Sequence, residues 1–353
     1  MANTIGMGLQ ASAQAARFGW YFGLKQAVDW RTARLDPRAK PRPKPKRPVP
    51  TEREILADLS SLFLRDAMAV RDGHFPPLTD AESPLELLRR ARAMLADVPD
   101  AFRRRASRDT SSARTAVAGT LDDARPLPTY FTQDFHFQTG GYLTEESARL
   151  YDIQVETLFL GGAAPMRREA LRPIAEFMRG RDQRKIAMLD VACGTGRFLR
   201  DVRLTYPAMR LTGLDLSASY LGETRRHLGN LRPAELIQGN AEAIPLPAAS
   251  QDIVTSIFLF HELPPDVRRH VAAEMARVLK PGGLLVFIDS LQMGDRPGWD
   301  GLLEAFPERF HEPYYRQYAI DDLRVLFRDQ GLQTRSTWTS FFAKAMVLEK
   351  PRG

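Results

Sequence analysis

The stretch Leu189-Asp190-Val191-Ala192-Cys193-Gly194-Thr195-Gly196-Arg197-Phe198-Leu199 constrains the fold more than any other. An apolar strand ends in a Gly-x-Gly turn, and a helix begins. Glycines at Gly194 and Gly196 let the backbone approach a ligand with no side chain in the way. The next strand ends at Asp215, 21 residues after Gly194. A carboxylate there can accept hydrogen bonds from ribose hydroxyls. A dinucleotide fold would carry a third glycine where this chain has Leu199. Its absence favours a ligand with ribose but no pyrophosphate. Asp190 before the turn disfavours a phosphate and favours an amine. The plainer alternatives are a mere tight turn at the glycines and a helix cap at Asp215.

Around this motif the pattern alternates between strand and helix. Strands are expected at 186–191, 209–214, 235–238, 252–258 and 283–288, with helices between them. That alternation predicts a parallel, doubly wound α/β sheet. Two further strands, 333–341 and 343–349, lie close enough for a hairpin. Upstream, Thr51-Glu52-Arg53-Glu54 fits a capping box. Ser83-Pro84-Leu85-Glu86 repeats the signal with proline at the first helical position. Residues 51–105 therefore read as a helical unit, and 106–128 as loop or linker. Thr144 caps a helix that Gly161-Gly162 ends, and Pro165 opens another. Alternate prolines make 31–50 an extended linker.

Three segments are expected. They are an aromatic and basic Pro-rich N-terminal segment (1–50), a helical extension with linker (51–128), and the α/β domain (129–353).

Charge is unevenly placed. Of the net +7, residues 1–50 contribute +8 and the remainder −1. A neutral body argues against a nucleic-acid-binding enzyme. The single cysteine, Cys193, excludes an internal disulfide and suits a reducing, cytoplasmic setting. No apolar run approaches the ~20 residues that cross a bilayer. Residues 1–30 lack a basic start, and Gln10, Gln14 and Arg17 interrupt their apolar stretch, so they do not read as a secretory signal.

With four segments in order, the chain resembles the class I S-adenosylmethionine-dependent methyltransferases. The segments are LDVACGTG (189–196), LTGLDLS (211–217), GNAEAIPLPAASQDIV (239–254) and VLKPGGLLVFID (278–289). The resemblance covers about residues 140–350 and is nearest the ubiquinone/menaquinone-biosynthesis branch. It implies a Rossmann-like sheet of seven strands, behind a helical N-terminal extension, with S-adenosylmethionine as cofactor. It also implies roles. Asp190, Gly194 and Gly196 would cradle the methionine moiety, and Ala192 would be a further cofactor-binding residue. Asp215 would hold the ribose hydroxyls, with Leu216 against adenine, and Asn240 and Ala241 would line the adenine pocket. Phe258 and His261 would face the methyl group and acceptor, and Tyr142 or Tyr151 would close over the cofactor.

His261 is the leading general base, since an imidazole near its ordinary pKa of ~6.5 suits proton removal. Glu262 and Tyr314 are the reserves. The bland alternative is a helix-capping or core histidine. His311, Tyr314, Tyr315 and Tyr318 are candidates for holding an aromatic or lipid-like acceptor. The pairs His261-Glu262 and His311-Glu312 lack diagnostic metal spacing, and no metal is assigned. FLFHELPP (258–265) lacks the Asn/Asp-Pro-Pro-Tyr signature of amino-methylating DNA enzymes, so no nucleic-acid partner is expected. A non-catalytic cofactor-binding scaffold and a nicotinamide-dependent oxidoreductase remain as alternatives. Residues 1–50 are expected to touch an anionic membrane surface peripherally. The competing expectation packs the aromatic segment on the body and leaves the basic run as solvated linker.

Overall fold

The computed structural model describes residues 3–35, 45–78, 82–111 and 127–352. Ahead of the sheet run α1 (Thr4–Leu35), α2 (Glu52–Arg71), α3 (Pro84–Ser107), α4 (Glu145–Leu158), α5 (Ala163–Arg168) and α6 (Leu171–Met178). Strands β1 (Ala187–Val191), β2 (Arg210–Asp215), β3 (Glu235–Gln238), β4 (Gln251–Ile257) and β5 (Leu279–Ser290) follow. Between them lie α7 (Arg197–Thr205), α8 (Ala218–Leu228) and α9 (Pro265–Val278). After β5 come α10 (Asp300–Phe310), α11 (Tyr315–Tyr318), α12 (Leu323–Arg328), β6 (Gln333–Ser340) and β7 (Ala343–Glu349).

The sheet order is β3-β2-β1-β4-β5-β7-β6. Strands β1 to β5 are parallel, whereas β7 runs antiparallel to both β5 and β6. Order reverses at β1, so ligands gather where β1, β2 and β4 end at their carboxyl tips. β1 is buried along its whole length because helices cover both sheet faces.

The helix signals act as the sequence suggests. Thr51 accepts from the Glu54 amide, and Glu54 returns a bond to the Thr51 amide at 2.7 Å. Ser83 and Thr144 cap α3 and α4 by accepting from the Glu86 and Ser147 amides. Two readings need correction. The 32-residue helix α1 runs to Leu35, into the segment expected to be extended. Residues 45–50 are held rather than free. The Lys46 and Arg47 amides donate to Glu304 at 3.0 and 3.1 Å, and the Gly301 amide donates to the Pro48 carbonyl. The intervening 36–44, and most of the expected linker 106–128, lie outside the described residues.

Helix α1 is amphipathic in the unusual sense. Its inward face is polar: Gln10 and Gln14 are buried and both donate to Asp66 of α2. Asp66 also receives two 2.8 Å bonds from Arg168 of α5. Arg17 pairs with Glu156 of α4 at 3.0 Å. Further along, Tyr21 and Leu24 pack on Ala91, Met94, Leu150 and Ile153. The residues that break the apolar stretch are therefore the ones that anchor the helix. A buried amide or carboxylate is tolerated because each finds a partner.

Candidate active site

The turn after β1 places three left-handed residues close together: Ala192 (φ +57°), Gly194 (φ +58°) and Gly196 (φ +74°). A Cβ on Gly196 would lie 2.4 Å from the Thr224 side chain, so only glycine fits there. Thr224 fixes the turn by donating to the Gly194 carbonyl at 2.8 Å. Asp215, at the tip of β2, accepts from the Gly194 and Ser217 amides at 2.8 Å each. Its carboxylate thus faces the turn; the cap of α8 is Ser217, whose hydroxyl accepts from the Tyr220 amide, so the helix-cap alternative for Asp215 does not hold.

These residues wall a first chamber of about 1130 Å³, its open mouth included. Asp190, Ala192, Gly194, Asp215, Leu216, Asn240, Ala241, Phe258, Tyr142 and Tyr151 all line it. Gly196 does not; it shapes the turn from behind. Asn240 accepts from the Glu242 amide at 2.9 Å and so shapes the 241–243 turn. Tyr142, Tyr151 and Tyr220 meet edge-on with centroids 5.4–6.0 Å apart, closing one side. Tyr130, whose hydroxyl donates to Glu242 at 2.8 Å, also lines the chamber. Nothing in the sequence marked it as a lining residue.

The chamber's chemistry suits a cationic nucleoside. Burial lifts the Asp190 carboxyl to about 7, against a 2.6 Å hydrogen bond from Thr255. Burial likewise lifts Asp215 to about 6, opposed by its two backbone donors. Carboxylates held this far up are stabilised by an incoming ammonium or sulfonium charge and by hydroxyl donors. The residues present therefore fit S-adenosylmethionine. Replacing Asp215 with alanine would strand the ribose hydroxyls without acceptors, at a cost of about 1–3 kcal/mol. Calorimetry should show cofactor affinity falling roughly ten- to a hundred-fold. Unchanged affinity would take Asp215 out of the site.

A second chamber of about 1500 Å³, again counting its open mouth, adjoins the first. The two share Tyr151, Phe258 and Glu262 as lining residues. Phe258 sits at φ +58° just past β4, a backbone state that bulky residues rarely adopt. The second chamber is walled by Val28 and Thr32 of α1, and by Met94, Val98 and Ala101 of α3. Val155, Leu158, Phe159, Phe306, Phe310 and Phe342 add to it. The sequence treated α3 only as a helical unit. No signal within α3 distinguishes a face lining a cavity from one packed in a core.

His261 faces this second chamber and is buried. Its Nδ1 lies 2.6 Å from Asp289 Oδ1, at the tip of β5, and its Nε2 lies 3.8 Å from Glu262. Asp289 also accepts from the Leu259 and Phe260 amides, fixing the loop that carries His261. Burial opposes the imidazolium, but Asp289 outweighs it and raises the pKa to about 9. The expected near-neutral imidazole is therefore not what the structure holds.

Glu262 accepts from the Tyr142 hydroxyl. His136, in a left-handed conformation, stands 3.5 Å from Glu262 and 3.0 Å from Glu312. His136 and Asp289 were missed because their partners are remote in sequence.

The structure does not bring Tyr314 to either chamber. Its hydroxyl accepts from Gln133 at 3.1 Å. Tyr315 and Tyr318 are buried with their rings edge-on to His261, each at 6.1 Å. Their hydroxyls bond around Ser290 and Leu291, so they support His261 rather than line a chamber. His311 packs on Phe137.

Residues 188–283 match the family described as a methyltransferase domain. The chain is similar to a demethylmenaquinone methyltransferase of Listeria welshimeri, 38% identical over 172 residues. That alignment covers 43% of this chain and 72% of the relative. A ubiquinone/menaquinone biosynthesis C-methyltransferase, UbiE, of Methylobacterium nodulans is 33% identical, covering 46% and 63%. A fatty-acid O-methyltransferase of Mycolicibacterium smegmatis is 33% identical, covering 34% and 43%.

Proposed function

Because the chain belongs to the class I S-adenosylmethionine-dependent methyltransferases, in the ubiquinone/menaquinone-biosynthesis-like branch, we propose that its acceptor is an amphiphile whose apolar chain occupies the second chamber. The observation that carries this reading is the junction of the two chambers. A space that holds the Asp190 and Asp215 carboxylates meets a more apolar one at Tyr151, Phe258 and Glu262. The acceptor's head would sit at that junction, beside His261.

Bound S-adenosylmethionine supplies an electrophilic methyl, so the chain's own work is alignment and proton handling. Asp190 and Asp215 hold the charged and hydroxylated parts of the cofactor. Tyr142, Tyr151 and Phe258 exclude water from the junction. Asp289 orients His261 so that Nε2 faces the acceptor side, where it takes the proton of an acidic hydroxyl. Glu262, held by Tyr142 and His136, adds negative charge where a cationic methyl donor would sit. That relatives are named demethylmenaquinone methyltransferase and fatty-acid O-methyltransferase supports the chamber's assignment. Peripheral contact with an anionic membrane through residues 1–50 belongs to the same proposal.

The chamber reading is tested with hydroquinones that do or do not carry an isoprenoid chain, and with fatty acids. Ala101→Trp fills the apolar chamber far from the cofactor. It should lower kcat/KM for the chain-bearing acceptor by about ten-fold or more, mostly through KM, and spare the chainless one. Equal kcat/KM for both acceptors in the parent enzyme would overturn the assignment.

A further inference from the structure

Helix α1 is inside out. Gln10, Gln14 and Arg17 face the body, where Asp66 and Glu156 hold them. The opposite face is exposed and carries Ile5, Leu9, Ser12, Ala16, Trp20 and Gly23. Their spacing of three and four residues keeps them in one stripe. Its polar groups are the small Ser12 hydroxyl and the Trp20 indole N–H. Ile5 is 80% exposed and Leu9 61%, and it is their continuity along one stripe that is informative. Between Thr4 and Leu24 the only charged residue is Arg17, and it is turned inward. An uncharged, largely apolar stripe of this length marks an interaction surface. Phe22, Trp30 and Leu35 of α1 are exposed too, whereas Leu64, Leu85 and Ile320 lie on other elements.

Two observations identify what covers the stripe. The first is charge. From Arg31 to Arg47 the sequence holds eight Lys/Arg and one acidic residue, Asp36. An apolar helix face continued by a basic run complements an anionic lipid surface, apolar side chains entering the acyl boundary and cations meeting headgroups. No described helix is long and apolar enough to cross a membrane, so α1 would lie along the surface. The second observation is continuity. The C-terminal half of the same helix, through Lys25, Val28, Asp29 and Thr32, walls the apolar chamber. Asp29 and Arg309 line that chamber and are exposed to solvent, so the chamber opens beside this half of α1.

We propose that the outer face of α1 lies in the headgroup region of an anionic bilayer, and that the acceptor passes from that bilayer into the apolar chamber alongside residues 25–32. The first half stands on α1 alone; the second rests on the amphiphilic-acceptor reading above. An acceptor with a long chain would then never cross water. Its chain leaves lipid for Val28, Thr32, Met94 and Val98 while its head advances to His261.

The experiment uses the full chain with S-adenosylmethionine and phosphatidylcholine vesicles, with or without a minority of phosphatidylglycerol. The parent protein should sediment with the anionic vesicles at low salt, and its tryptophan emission should shift to the blue. Ile5→Gln/Leu9→Gln/Trp20→Gln replaces only exposed side chains, so cofactor affinity should be unchanged by calorimetry. Its vesicle-bound fraction should fall by about ten-fold or more. With a prenylated hydroquinone embedded in vesicles, the triple variant should lose turnover, while a chainless hydroquinone in solution is methylated at the parent rate. Parent protein that stays in the supernatant with anionic vesicles overturns the membrane contact. So does a parent dimer that the triple variant splits, with vesicle binding unaltered; a second copy would then cover the stripe. Intact turnover by the triple variant on the embedded acceptor overturns entry from the bilayer. Sedimentation is read without turnover, so a wrong acceptor assignment leaves the first half of the proposal standing.

Discussion

Alanine in place of His261 should lower turnover by about 10²–10⁴-fold while cofactor affinity stays near that of the parent enzyme. The imidazole lines the second chamber and not the first, so the two effects separate. The pH profile gives the sharper test. Asp289 at Nδ1, with Glu262 and Glu312 nearby, holds the conjugate acid up at about 9, and the Tyr315 and Tyr318 rings shield it. Only neutral imidazole accepts a proton, so the rate should climb through neutral pH and level off above about pH 9. Asp289→Asn removes the charge that favours the imidazolium, so the climb should move to lower pH. Its plateau should also drop, because the neutral ring is then a weaker base. A His261→Ala enzyme that keeps its rate and profile would end the acid–base role.

The second large effect is on stability. Asp66→Ala should destabilise the fold by about 3–5 kcal/mol, measured by denaturant unfolding. The substitution strands Arg168, whose side chain is 6% exposed and whose next carboxylate, Asp201, is 3.9 Å away. It also leaves Gln10 and Gln14 without the acceptor that docks α1. Proteolysis should then cut within α1 before the rest of the chain. Asp66→Leu combined with Arg168→Met removes both charges and should recover much of the loss, since apolar replacement of a buried pair is often close to neutral. Equal unfolding free energies for the parent and Asp66→Ala would show that this pair does not anchor α1.

The sheet and the cofactor chamber were largely legible because their signals are local. Asp190, Gly194, Gly196 and Asp215 lie within a single strand–turn–helix–strand unit, and each strand boundary falls within a few residues of its expected place. The caps at Thr51, Ser83 and Thr144 are local too. What escaped depends on pairs far apart in the chain. Gln10 and Gln14 read as interruptions of an apolar stretch because Asp66 stands 56 and 52 residues away. His261 read as an ordinary imidazole because Asp289, which raises its pKa, sits at the tip of the next strand. Tyr314, Tyr315 and Tyr318 looked equivalent in sequence. The helical turn of α11 separates them, turning two toward His261 and leaving Tyr314 against Gln133.

The position of β7 bears on how the chain is made. The last strand in sequence is an inner strand of the sheet, lodged between β5 and β6. During synthesis the edge formed by Leu284–Ser290 emerges well before Ala343–Glu349, the segment that pairs with it. That edge is almost wholly apolar, and a bare apolar edge recruits strands from other chains. The nascent protein thus carries this apolar edge unpaired until β7 has been made. Chaperone demand and the yield of folded enzyme should therefore be governed by the β6–β7 hairpin, far from the chemistry.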